Sequence, residues 1–139
     1  MFLLKPLAAG LGAAGLAFGL NWLVLRRVGR RGLWLVVPAV EEFLKSGTAL
    51  LVGASLPLAH AAFGLVEAGY ELRGPAPSPV AAGLALATHA ALGLLTALLA
   101  ARSGGLGPAV LASATLHATF NLAVTERSPR PGPGSGEVS

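Results

Sequence analysis

Residues 36–53 read "VVPAVEEFLKSGTALLVG", which sets two carboxylates and an ammonium into a run otherwise suited to hydrocarbon. A charge at mid-membrane costs roughly 2.5–3.5 kcal/mol on insertion scales, against a few tenths gained per leucine. Glu41, Glu42 and Lys45 are therefore expensive there unless they pair. On a helix, Lys45 stands four residues after Glu41 and three after Glu42, within reach of either. The two glutamates themselves point about 100° apart, so one can be pinned while the other faces a cavity. A dry site favours the neutral carboxyl and a nearby ammonium favours the carboxylate, an arrangement that can set a glutamate to take a proton from water. The bland reading is a triplet that only pairs with itself or with another helix. In a soluble helix that reading would win, whereas inside an apolar span the weight shifts to function.

The rest of the chain supplies that apolar setting. Of its 139 residues, 54% are hydrophobic and 12% charged, with mean hydropathy +0.71. A soluble domain carries about a quarter charged residues, enough to coat a surface, and long stretches here have none. The expected solvent is a bilayer. With no cysteine, disulfides, thiolate catalysis, iron–sulfur clusters and thiolate zinc sites drop out. The net charge of +4 does not point to nucleic acid, because Arg26, Arg27, Arg30 and Arg31 cluster between apolar segments with no aromatic residues interleaved. They read as a topology signal.

Five hydrophobic segments succeed one another. The first, residues 2–25, is too long for a signal core and ends on "RRVGRR", so it is expected to stay as a membrane helix. Gly10, Gly12, Gly15 and Gly19 give it small-xxx-small spacings for close helix approach and no chemistry. Next come residues 32–55, with Pro38 expected to bend the helix just before Glu41. Residues 58–71 are short for an upright span of about 20 residues. Residues 79–101 and 106–125 complete the set, separated by a "RSGGLGP" break. The prediction is an all-α, polytopic membrane helix bundle over residues 1–126, with a motif core at about 38–122 and a disordered tail at 127–139. Arginine asymmetry puts the N-terminus outside and the C-terminus in the cytosol, as an integral protein of the cell membrane; a re-entrant third segment would reverse the sidedness of the two segments after it.

Removing loop and terminal charges leaves Glu41, Glu42, Lys45, Glu67, His89 and His117 at membrane depth, with His60 and Glu71 nearer their segment ends. At ~1.5 Å per residue, Glu41 lies about 15 Å beyond Arg31, His89 about 15 Å beyond Pro79 and His117 about 12 Å before Thr125, so the three can share one layer. Phe63 and Glu67, like His117 and Asn121, sit at i, i+4 on one helix face. Each has a plainer reading. His60 follows Pro57 and reads as a capping or interfacial histidine, outside the site. His89 alone is as easily a core hydrogen-bonder, Glu67 could pair with Arg73, and Phe63 is packing. Trp22, Trp34 and Tyr70 suit interfacial belts.

Together, "EEFLK" (41–45), "FGLVE" (63–67), the lone His89 and "HATFN" (117–121) resemble the PrsW branch of the glutamic intramembrane proteases, relatives of the CAAX-protease and bacteriocin-processing enzymes. One motif falls in each consecutive segment from the second to the fifth. The resemblance implies that Glu41/Glu42 supply the water-activating carboxylate, with Glu41 favoured by analogy with the CAAX branch. It further implies that His117 and Asn121 hold the oxyanion, that Glu67 and His89 complete the site, and that Lys45 and Phe63 support it. Two positions depart from the branch: Ala68 stands where asparagine is frequent, and Asn121 where aspartate is common. Family members generally have more spans, which leaves a homo-oligomer or a partner membrane protein as a candidate partner.

The expected function is an intramembrane endopeptidase acting on a membrane protein or peptide, without metal or cofactor and without nucleic acid. Other intramembrane protease chemistries lack their residues here: there is no Asp for an aspartyl pair, no HExxH and no GxSG. Two other classes remain open, a proton or cation transporter using the Glu/His cluster as a relay and a non-catalytic scaffold. A metal site built from Glu42, Glu67, His89 and His117 also stays open, since carboxylate and imidazole are common ligands.

Overall fold

The structure, a computed structural model, describes residues 2–29 and 32–127. Arg30, Arg31 and the expected tail at 128–139 lie outside the described residues. Among those described, every element is helical: α1 (Leu4–Val28), α2 (Gly32–Val52), α3 (Leu56–Arg73), α4 (Pro79–Ser103) and α5 (Leu106–Arg127). Arg127, expected as the first residue of the tail, is instead the last of α5.

Local chemistry sets the boundaries. Gly53 and Gly104 close α2 and α4 at φ 62° and 69°, a left-handed turn that a side chain would resist. Pro57 opens α3 in its first turn. Ser78 caps α4 by accepting from the Ala81 amide at 3.1 Å, with Pro79 at the first helical position. α2 runs through Pro38 as one helix.

The short links make neighbouring helices antiparallel. Packing closes a ring in which α1 touches α2, α2 touches α5, α5 touches α4, α4 touches α3 and α3 returns to α1, with α2 and α3 also meeting across it. Hydroxyls tie the walls: Thr48 Oγ1 donates to Ala9 O at 3.1 Å between α2 and α1, and the buried Thr96 and Ser113 meet at 2.7 Å between α4 and α5.

The interior is built from small side chains and polar groups. Its apolar members are mostly alanines, such as Ala9, Ala13, Ala17, Ala49 and Ala59, joined by Phe63. The largest fully buried side chains are Lys45, His60, His89 and Glu42, while Leu11, Phe18, Leu35, Phe43, Leu51 and Leu111 are exposed. α1 and α4 are each long and apolar enough to cross a membrane. By contrast α2 carries three charged residues, Glu41, Glu42 and Lys45, and α3 carries Glu67, Glu71 and Arg73.

The glycines of α1 divide sharply. A Cβ on Gly10 would lie 2.5 Å from the Ala59 carbonyl oxygen and 2.5 Å from Ala62 Cβ of α3, whereas Gly12, Gly15 and Gly19 meet nothing. α1 therefore seats on α3 through Gly10 and its alanines, and Gly12, Gly15 and Gly19 face outward. Gly10→Val should destabilise the bundle by about 1–3 kcal/mol through overpacking, and Gly12→Val should leave it unchanged. Unfolding midpoints of the two variants in the same micelle check this.

Candidate functional site

The polar groups of all five helices converge. From α2, Lys45 sends its ammonium to Glu42 Oε1 at 2.5 Å and to His89 Nδ1 of α4 at 2.9 Å. It also lies over the ring of Phe63 of α3, 4.6 Å from the centroid. Its three N–H groups thus find a carboxylate, an imidazole and an aromatic face. The other nitrogen of His89, Nε2, is hydrogen-bonded to Glu67 Oε2 of α3. Glu42 Oε1 also accepts from His117 Nδ1 of α5 at 3.0 Å, and the two imidazoles meet edge to face at 5.2 Å.

The paired glutamates have different surroundings. Glu42 and Lys45 are both fully buried, at 0% exposure. Glu41, one residue earlier, lines a cleft of about 490 Å³ that Glu67, Glu71, His89, His117 and Asn121 also line. There Glu41 Oε2 faces His117 Nε2 at 3.9 Å, and Glu41 Oε1 accepts a hydrogen bond from Asn21 Nδ2 of α1 at 2.8 Å. A gap of that length between two polar atoms at a cleft wall suits groups that share a water. Glu41, His89 and His117 each bring one possible ligand atom within 4.8 Å of the other two. The compact set of metal-type donors therefore contains Glu41, with Glu42 turned behind it.

Of the residues singled out from sequence, Glu41, Glu42, Lys45, Phe63, Glu67, His89 and His117 fall into this one contact network. Asn121, one turn beyond His117, lines the same cleft.

Two residues depart from expectation. His60 is no cap or interfacial residue: it is fully buried, its Nε2 3.2 Å from Ser46 Oγ and its Nδ1 3.6 Å from Glu42 Oε2. The cause is Gly93, whose missing Cβ would lie 2.6 Å from His60 Cβ, so that α4 closes over the start of α3. Its spacing carries a signal, since residues 60, 63 and 67 share a helical face. Asn21 belongs to the site although packing alone is expected of α1; an amide inside an apolar segment is the available clue. Trp34 lines the cleft, whereas Trp22 and Tyr70 are exposed.

Comparison with known proteins gives no match: no protein-family model, no curated protein and no solved structure aligns with the chain.

Proposed function

We propose that this chain is a membrane-embedded endopeptidase that hydrolyses a peptide bond of a membrane protein or peptide, with Glu41 as the general base. The observation that carries the reading is the pairing of Glu41 Oε2 with His117 Nε2 across 3.9 Å at the wall of the cleft, with Glu42 and Lys45 locked behind them. The order of motifs shared with the PrsW branch supports it as well.

In this reaction a cleft water gives a proton to Glu41 while its oxygen bonds to the peptide carbonyl carbon. The oxyanion accepts a hydrogen bond from Asn121, and the His117 ring, held at Nδ1 by Glu42, turns Nε2 toward it. When the C–N bond breaks, the proton on Glu41 passes to the departing amine. Asn21 holds Glu41 at this work. Replacing Asn21 by leucine removes a hydrogen bond to a charged group and should lower kcat/KM about 10–100-fold. Cleavage assays on reconstituted protein measure that loss.

The five helices are read as five membrane segments. Large apolar side chains outside and polar ones inside would invite aggregation in water, but they suit hydrocarbon. The cleft lies at the end of the bundle where α1, α3 and α5 finish and α2 and α4 begin, the end that also bears Arg26, Arg27 and Arg73. Arginine asymmetry makes that end cytosolic, in the cell membrane, so substrate enters from the cytosolic leaflet.

The test is cleavage of a panel of single-span proteins in proteoliposomes, with chelator present. Product formation supports the reading, and none across the panel counts against it. A second reading, proton or cation transport, draws on the unbroken string Glu67–His89–Lys45–Glu42–His117. Flux dependent on Glu67, without proteolysis, would favour it.

A further inference from the structure

Glu41, His89 and His117 bring donor atoms within 4.8 Å of one another, all three residues buried, in a cleft wide enough for a fourth ligand. Two imidazoles and a carboxylate with an open position are a common zinc-type donor set. We propose that Lys45 is a positioning residue that keeps divalent metal out of this triad by fixing His89 as its Nε2–H tautomer. Metal affinity alone is at stake, whether or not the chain cuts peptides.

Which ring nitrogen carries a proton decides whether each histidine can ligate. A metal-bound histidine ordinarily donates its other ring N–H to a carboxylate or carbonyl, which fixes the tautomer whose free nitrogen binds the ion. His117 satisfies this: its Nδ1 donates to Glu42 Oε1 at 3.0 Å, so Nε2 keeps its lone pair toward Glu41 in the neutral ring. At His89 the order is reversed. The group behind Nδ1 is the Lys45 ammonium at 2.9 Å, which has hydrogens to give and no lone pair to receive one. His89 Nδ1 must accept, its proton resides on Nε2, and that proton is donated to Glu67 Oε2. A protonated Nε2 cannot ligate. The positive charge behind the ring also opposes a dication in front of it.

Lys45 has little freedom to turn away. It is fully buried, Glu42 Oε1 holds it at 2.5 Å, and the Phe63 ring covers it. Removing its nitrogen would change the outcome. In Lys45→Met no donor faces His89 Nδ1, so that nitrogen is free to hold the proton. Both Nε2 atoms would then be able to present lone pairs to the cleft.

The experiment has two arms. In the first, nitrogen-15 NMR of the histidine rings of the unaltered protein in nanodiscs should show His89 protonated at Nε2 and not at Nδ1. In the second, Co²⁺ is titrated into the unaltered protein, Lys45→Met, and Lys45→Met combined with His89→Ala. The unaltered protein should show no saturable visible absorption. Lys45→Met should bind about 10–100-fold more tightly, with the intense bands of four-coordinate cobalt, in the range by which groups behind metal ligands alter affinity. The double variant should lose those bands. A His89 ring protonated at Nδ1, tight Co²⁺ binding by the unaltered protein, or a folded Lys45→Met that binds no better would each overturn the proposal. If Lys45→Met fails to fold, the NMR arm and the Co²⁺ titration of the unaltered protein decide it.

Discussion

Glu41→Gln should lower peptide cleavage by about 10²–10⁴-fold, the range contributed by a general base, while leaving the unfolding midpoint where it was. The two halves of that expectation come from different atoms. Glu41 Oε1 accepts from Asn21 Nδ2 at 2.8 Å, and the oxygen of a glutamine amide can accept the same bond. Glu41 Oε2 faces His117 Nε2 across the cleft wall. An amide NH₂ placed there cannot take a proton from water, although it can still fill the space. Single-turnover cleavage in proteoliposomes reads the first half, and thermal unfolding in the same lipid reads the second. Cleavage within a few-fold of the unaltered rate would remove Glu41 as the base. A folded variant is what gives the loss its meaning, because a collapsed cleft would silence any assay.

Much of this arrangement is legible in the sequence, for reasons that can be stated. Hydrophobic runs broken by Gly, Pro and Arg place all five helices within about a turn of their observed ends, since those residues act on the backbone locally. Counting residues along separate runs puts Glu41, His89 and His117 at one depth, because an α-helix converts sequence distance into length directly. The rest depends on rotation and neighbours. That Glu41, and not Glu42, faces the cleft is set by where α5 and α1 lie around α2, which no count along one segment contains. The helical spacing of residues 60, 63 and 67 points to His60, but its burial is set by Gly93, more than thirty residues away on another helix. Asn21 is masked within α1 by glycines that suggest packing only. Even those glycines split by facing: Gly10 meets α3, and Gly12 meets nothing.

Glu42→Leu is expected to behave oppositely to its neighbour, unfolding the bundle more readily by about 3–5 kcal/mol, the range for removing one partner of a buried ion pair. Glu42 is fully buried, and its Oε1 receives both the Lys45 ammonium at 2.5 Å and His117 Nδ1 at 3.0 Å. Leucine takes that acceptor away from both donors. The ammonium is left with one imidazole and an aromatic face, and the His117 N–H is left with no acceptor in a site closed to water. Removing the charge on the other side should recover much of the loss: in Glu42→Leu/Lys45→Met the stranded ammonium is gone, and apolar pairs often replace buried ion pairs at little or no cost. Unfolding by denaturing detergent, compared among the single, double and unaltered proteins, measures each step. A single variant as stable as the unaltered protein would mean that Glu42 does not hold the network. A double variant no better than the single would place the defect in His117 and not in the bare ammonium. The contrast with Glu41 comes from helical geometry: about 100° of rotation between adjacent residues turns one carboxylate toward the cleft and the other into the centre of the bundle.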